Sequence, residues 1–243
     1  MDLVRRGLGL AGLGRAAVVA ALLASGTVQP VGAAAGLGYG LVCDLLIATC
    51  LTADGRRHVG AANAVTWTRC VLVGAVVALV TGPAGPGATG VLVVTAAVAL
   101  LLDGVDGRIA RATHSVSAFG SRFDMEVDAS LVLALSIAAA VEVGPWILLV
   151  GAARYLLLLA TALIPRLAAP TAPRLWRKAV AVLQGVALIV VCAGSFGWVV
   201  SEVVAVLAAS ALAVSFGTQI RGLLGTSTRT AAVKGAVVDA PVV

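Results

Sequence analysis

The sequence has 243 residues, of which 60% are hydrophobic and only 12% are Asp, Glu, Lys or Arg. Soluble domains carry about a quarter of their residues as charges, so this composition excludes an ordinary soluble protein and predicts a membrane protein. The net charge of +6 does not indicate a nucleic-acid partner, because the basic residues follow a membrane topology. The apolar runs do not alternate polar and apolar residues as β-barrel strands do, so the predicted fold class is all-α.

Eight apolar runs are long enough to be helices that cross about 30 Å of hydrocarbon. In chain order they cover residues 11–26, 31–51, 64–82, 87–103, 124–143, 146–165, 178–196 and 198–217. The sequence therefore predicts a polytopic membrane domain that ends near residue 222. Residues 223–243 lack helical periodicity, and we predict that they form a disordered tail.

Basic residues occur in every second connection and near both ends of the chain. They are Arg5, Arg6, Arg56, Arg57, Arg108, Arg111, Arg122, Arg166, Arg174, Arg177, Lys178, Arg221, Arg229 and Lys234. The intervening turns, "GTVQP", "TGPAGPG", "VEVGP" and "GSFGW", contain no Lys or Arg. Under the positive-inside rule the basic loops and both termini are cytoplasmic, and we expect a multi-pass protein of the plasma membrane. The first segment also has features of a secretory signal, and cleavage near Ala35 would leave the remaining topology unchanged.

Five of the 11 acidic residues lie between residues 103 and 128. Asp103 and Asp106 are three residues apart at the end of the fourth helix, and Asp124 and Asp128 are four apart at the start of the fifth. Both spacings place the carboxylates on one face of a helix. We expect the two helices to be antiparallel neighbours, so that four carboxylates converge at the cytoplasmic side.

Such a cluster repels itself unless a cation neutralises it. Arg108, Arg111 and Arg122 are the basic residues expected nearby, and they offset the charge only in part. Mg²⁺ or Mn²⁺ prefers oxygen ligands, and two ions sharing four carboxylates suit chemistry on phosphates. Gly104 and Gly107 would allow close approach of a ligand. The alternative is that the acids are solvated residues at two helix ends.

The same segment matches the pattern D-x2-D-G-x2-A-R-x8-G-x3-D-x3-D and resembles the CDP-alcohol phosphotransferases. The matching residues are Asp103, Asp106, Gly107, Ala110, Arg111, Gly120, Asp124 and Asp128. Upstream, "NAVTWTR" is similar to the N-x2-T-x2-R that opens the first core helix of many members. The resemblance covers about residues 60–220. It implies a six-helix transmembrane core at 60–222, preceded by an N-terminal extension with two additional transmembrane helices at 1–59 and followed by the cytoplasmic tail at 223–243.

Family members pass a phospho-group from a CDP-linked donor to an alcohol and release CMP. The resemblance implies a transferase of phospholipid biosynthesis that uses CDP-diacylglycerol and a small alcohol acceptor, and that forms a homodimer. It implies that Asp103, Asp106 and Asp124 bind metal, and that Asp128 is partly a ligand and partly the catalytic base. The CDP-binding residues would be Asn63, Thr66, Arg69, Gly107, Ala110, Arg111 and Gly120.

A second, partial pattern match concerns the residues that would bind the acceptor. The stretch "WRKAVAVLQ" resembles the G-K-x-K-T-x2-Q of members that make phosphatidylglycerol phosphate, because it retains Lys178 and Gln184. It departs from that pattern at Arg177, Val180 and Ala181. The basic residues Arg174, Arg177 and Lys178 are candidates for acceptor binding.

Arg154 lies near the middle of the sixth apolar run, where an unpaired Arg costs at least about 2.5–3.5 kcal/mol. It is therefore expected to face the bundle interior. It either binds the acceptor or forms an ion pair with another helix, and Asp44 is a possible partner.

Two other functions are compatible with the sequence. A family member with a water-soluble CDP-alcohol donor and a lipid acceptor would use the same signature residues. An ion-coupled transporter would also place carboxylates in a membrane domain, but transporters commonly carry inverted repeats and broken helices at the midplane. Neither feature is evident here, so phosphatidyl transfer is the favoured function.

Overall fold

The structure is a computed structural model that describes the backbone of residues 2–53, 61–83, 85, 87–112, 118–164 and 175–238. Side chains are described for residues 9–10, 12–49, 67–83, 85, 87–104, 120, 123–164, 176, 179–218 and 221. Within these ranges the secondary structure is helical, which confirms the all-α fold class.

Eight α-helices form the described part of the chain. They are α1 (Asp2–Ala24), α2 (Pro30–Ala53), α3 (Ala61–Val80), α4 (Ala88–Ala112), α5 (Ala118–Val143), α6 (Leu148–Leu163), α7 (Leu175–Ala193) and α8 (Trp198–Val238), with a 3-10 turn at Pro145–Ile147 before α6. Each predicted apolar run lies largely within one of these helices.

Among the described residues, three segments are long and apolar enough to cross a membrane: Pro30–Thr49, Pro145–Leu163 and Trp198–Thr218. Shorter apolar stretches occupy Gly12–Ala24, Trp67–Val80, Ala88–Gly104 and Ala179–Ala193. The division of the eight helices into six core spans and two additional ones therefore stays a prediction.

Two helices near the acidic segment are longer than the sequence predicts. Helix α4 continues to Ala112 rather than ending at residue 103, and α5 begins at Ala118 rather than at 124. The acidic residues therefore lie inside these helices, not at their ends. The predicted boundaries of both helices lie where charged residues replace apolar ones in the sequence. Polar residues can nevertheless continue a helix that is already nucleated.

Helix α8 also extends beyond its apolar part, to Val238. It thus covers residues for which the sequence predicts a disordered tail. Helix extension adds one hydrogen bond for each residue fixed, so a helix formed by the apolar segment can propagate into a polar, Ala-containing sequence without hydrophobic periodicity.

The centre of the fold is a ring of four helices, in which α3 contacts α4, α4 contacts α7, α7 contacts α5, and α5 contacts α3. Helix α6 packs on α5, and α8 packs on α7 and α5. The α1–α2 pair packs on α3 from outside the ring. Helix α3 is consequently covered by four other helices, and Cys70, Val73 and Val76 on it are buried.

The contact between α2 and α3 depends on glycine. A Cβ atom at Gly36 would lie 2.5 Å from the carbonyl oxygen of Gly74, and one at Gly32 would lie 2.2 Å from that of Ala78. Both distances are too short for any side chain. Glycines four residues apart on α2 thus let the two backbones approach closely, which is a common way to pack helices where lipid provides no hydrophobic drive.

A buried ion pair joins α1 to α2. Arg15 Nη2 donates a hydrogen bond of 2.9 Å to Asp44 Oδ2, and the two side chains are 6% and 18% exposed. A Cβ at Gly40, one turn before Asp44, would lie 2.0 Å from Arg15 Nε, so the glycine provides the space through which Arg15 reaches its partner. The pair satisfies two charges that neither apolar helix can bury alone.

We expect the substitution Gly36→Ala to lower the free energy of unfolding by about 1–3 kcal/mol, because the added methyl group forces α2 away from Gly74. Gly38→Ala is the matched control, since a Cβ at Gly38 meets nothing within 4 Å. Unfolding in detergent, followed by denaturant titration, measures both. Equal stability of the two variants would contradict a close α2–α3 contact.

We expect Asp44→Asn to cost about 3–5 kcal/mol of stability, because it leaves the Arg15 guanidinium buried without its counter-charge. The double substitution Arg15→Met with Asp44→Leu removes both charges and should recover much of that loss. The same unfolding measurement applies. If the double variant is no more stable than Asp44→Asn, the ion pair is not the cause of the loss.

Candidate active site

Three carboxylates from two helices meet inside the ring. Asp103 on α4 and Asp124 and Asp128 on α5 each offer an oxygen atom, and these atoms all lie within 4.8 Å of one another. Asp124 and Asp128 are one helical turn apart and share a face of α5, as the sequence predicts. The convergence of these three acids confirms the core of the predicted cluster. The fourth, Asp106, is on α4, but its side chain lies outside the described residues.

Arg69 on α3 lies between these carboxylates. Its Nη1 atom is 3.2 Å from Asp103 Oδ1 and donates a hydrogen bond to Asp124 Oδ1, while Nη2 donates to Asp128 Oδ1. Since α3 contacts both α4 and α5, one guanidinium can bridge acids from both helices. The Arg69 side chain is 1% exposed, so its guanidinium is buried within the ring.

The expectation that only Arg108, Arg111 and Arg122 lie near the acids is wrong, because Arg69 is in direct contact with them. The side chains of the three expected arginines lie outside the described residues. Arg69 is at least 34 residues from its partners in sequence, so local spacing does not reveal the contact. Two signals were available. The resemblance of "NAVTWTR" to the family pattern implies that Arg69 belongs to the CDP site, and an Arg inside an apolar membrane segment must find a partner within the bundle.

Among the described side chains of the cluster, negative charge exceeds positive charge. Three carboxylates face one guanidinium. Carboxylate oxygens are the ligands that Mg²⁺ prefers, and two ligands on opposite sides of one ion are about 4.2 Å apart. The ligand oxygens of Asp103, Asp124 and Asp128 all lie within 4.8 Å of one another, so these residues fit a divalent cation after small side-chain rotations.

The two α5 carboxylates are the accessible members of the cluster. The side chains of Asp124 and Asp128 are 35% and 40% exposed, whereas Asp103 is 13% exposed. Gly104, next to Asp103, is also exposed, and among the described residues a Cβ there would meet nothing within 4 Å. A ligand can therefore reach the site from the side of the α5 acids.

The other residues of the predicted CDP pocket are described only in part. Asn63 and Thr66 lie in the first turns of α3, and Gly107, Ala110 and Arg111 lie in the last turns of α4, with their side chains outside the described residues. Gly120 is half-buried on α5. Of these candidates, Arg69 is the one whose described side chain contacts the acidic cluster. That the whole set binds CDP stays a prediction.

Arg154 forms its ion pair with Glu126 on α5. The expected alternative partner, Asp44, pairs instead with Arg15, so an Arg154–Asp44 pair is wrong. Glu126 is two residues from both Asp124 and Asp128, which places it about 200° around the helix on the opposite face. The described contact therefore directs Arg154 away from the acidic cluster, and its role in acceptor binding stays a prediction.

The remaining acceptor candidates lie around the start of α7. Arg177 and Lys178 are in its first turn with undescribed side chains, and Arg174 precedes it outside the described residues. Gln184, which the acceptor-type pattern shares, is buried and donates a hydrogen bond of 2.6 Å to the carbonyl oxygen of Ala208. In this structure Gln184 thus fastens α7 to α8.

Comparisons with known proteins agree with the signature. The family model described as CDP-alcohol phosphatidyltransferase matches residues 59–216, which is more than half of the chain. No curated protein and no solved structure matches the chain significantly. The matched region includes Arg69 and the three converging carboxylates. On this match, the chain belongs to the CDP-alcohol phosphatidyltransferase family.

Proposed function

We propose that the protein transfers a phosphatidyl group from CDP-diacylglycerol to a small alcohol and releases CMP, as a step of phospholipid biosynthesis. The observation that carries this proposal is the buried Arg69 among Asp103, Asp124 and Asp128, in a chain of the CDP-alcohol phosphatidyltransferase family. The family supports a transferase over the transporter that the composition alone would also allow.

Asp128 is the proposed general base. The hydroxyl oxygen of the acceptor forms a bond to the phosphorus that carries diacylglycerol, the bond from that phosphorus to the bridging oxygen breaks, and CMP leaves with both electrons of that bond. The hydroxyl proton passes to Asp128, whose carboxylate is on the accessible side of the cluster. Mg²⁺ or Mn²⁺, with two ions proposed, would stabilise charge on the donor phosphates when held by Asp103, Asp106, Asp124 and Asp128.

The substrate contacts are proposed from the resemblance to the family. We place the CDP group against Asn63, Thr66, Arg69, Gly107, Ala110, Arg111 and Gly120, next to the open space at Gly104. The candidates for acceptor contact are Arg174, Arg177, Lys178 and Arg154. Of these, Arg154 forms an ion pair with Glu126 on the face of α5 opposite to the acids.

The proposed location is the plasma membrane, with the site facing the cytoplasm. The basic residues flank the end of the bundle that carries the acids, which agrees with the positive-inside rule. A homodimer is also proposed. Arg154 and Glu126 are 28% and 40% exposed, and a second copy would shield this ion pair from hydrocarbon.

CMP release by purified protein in detergent tests the reaction. With CDP-diacylglycerol and Mg²⁺, the acceptors glycerol 3-phosphate, inositol, inositol phosphate and serine are supplied in turn. We expect one acceptor to support release, and Asp128→Asn to lower it by about 10²–10⁴-fold, the usual contribution of a general base. Glu142→Gln makes the same chemical change at an exposed residue of the same helix and should leave the rate unchanged.

The other outcomes separate the alternatives. Release from a water-soluble CDP-alcohol with a lipid acceptor, but not from CDP-diacylglycerol, would replace the proposed donor. Wild-type rates in Asp128→Asn would exclude that residue as the base. If neither type of donor releases CMP, the transferase proposal fails and an ion-coupled transporter becomes the better candidate.

A further inference from the structure

Arg69 contacts the same three carboxylates that a cation in this cluster would use. The Oδ1 atoms of Asp103, Asp124 and Asp128 all face its guanidinium. These three residues also form the group whose oxygens converge closely enough to hold a metal ion. An ion bound by all three would therefore lie close to the guanidinium, and the two positive charges would repel each other.

We propose that Arg69 and a divalent cation compete for these three carboxylates, and that a nucleotide diphosphate resolves the competition by taking the guanidinium. This inference rests on the proposed function, because it assumes that the site binds a metal and a CDP-linked donor. It assigns a further role to Arg69, which is to couple the binding of the metal to the binding of the nucleotide.

The physical argument begins with charge. An arginine stays positively charged at any physiological pH, so Arg69 cannot yield to the metal by losing a proton. The metal must instead displace it from some of its three contacts. The side chain is 1% exposed, and a displaced guanidinium still needs a negative partner, because an unpaired buried charge is costly.

A diphosphate provides that partner. Guanidinium groups bind phosphate oxygens through two parallel hydrogen bonds, the same geometry that they use with carboxylates. A nucleotide that enters on the side of Asp124 and Asp128, the more exposed carboxylates, would bring its phosphates to the cluster. Arg69 then exchanges carboxylate contacts for phosphate contacts, and the carboxylates become available to the metal. Metal binding is therefore expected to be weak without nucleotide and strong with it.

Chelation of metal by the phosphates also couples the two ligands, and it does so in any variant. The contribution of Arg69 is thus the difference between wild type and Arg69→Gln. Without nucleotide, we expect Arg69→Gln to bind Mn²⁺ at least about tenfold more tightly than wild type, within the usual range of coupling between sites. Added CDP should then tighten Mn²⁺ binding by a larger factor in wild type than in the variant.

The measurement is a titration of full-length protein in detergent with Mn²⁺, in which electron paramagnetic resonance reports the free ion, with and without CDP. Arg221→Gln is the matched control, because it removes one positive charge from an exposed residue of α8 and should keep the wild-type affinity. Equal or weaker Mn²⁺ binding by Arg69→Gln, compared with that control, would overturn the proposal.

A second variant covers the case in which Arg69→Gln does not fold. Lysine keeps the charge but lacks the fork that bridges several carboxylates, so Arg69→Lys should bind Mn²⁺ more tightly than wild type and less tightly than Arg69→Gln. Affinity no greater than wild type would again overturn the proposal.

If wild type releases CMP while all variants share one Mn²⁺ affinity, the proposed competition is wrong and the proposed transferase activity is retained. If no protein binds Mn²⁺, with or without CDP, and none releases CMP, the proposed function fails as well.

Discussion

The contact of Arg69 with three carboxylates is the interaction on which the site depends. Asp103, Asp124 and Asp128 bring three carboxylates together within a helical bundle, where like charges at short range repel each other. A single guanidinium from α3 offsets part of that charge and joins α4 to α5. The four-helix ring makes this possible, because it places α3 against both acidic helices.

The rest of the fold keeps α3 in place. Its face with Gly74 and Ala78 is closed by α2 through direct backbone contact, while Arg69 reaches α4 and α5. The pair α1–α2 precedes the region matched by the family, yet it buries the helix that carries the central arginine. The physical role of this extension is thus to complete the packing around α3, and the Arg15–Asp44 pair holds its two helices together.

One rule accounts for the three described arginines inside apolar helices. Arg15 pairs with Asp44, Arg69 with the acidic cluster, and Arg154 with Glu126, each on a different helix. A charged side chain in an apolar environment must find an opposite charge or remain hydrated. These pairs therefore fix which helix faces meet. They also separate the site on one face of α5 from the structural pair on the other.

The sequence by itself determined the helical class, the approximate place of each helix and the acids that converge, because apolar length and the spacing of residues on a helix are local properties. It also identified the family, through eight residues at fixed spacing. Only the tertiary structure decided that Arg69 contacts all three acids and that Arg154 pairs with Glu126 rather than Asp44. Those pairings depend on which helices become neighbours, and the order of helices in the ring is set by long-range packing that no local pattern contains.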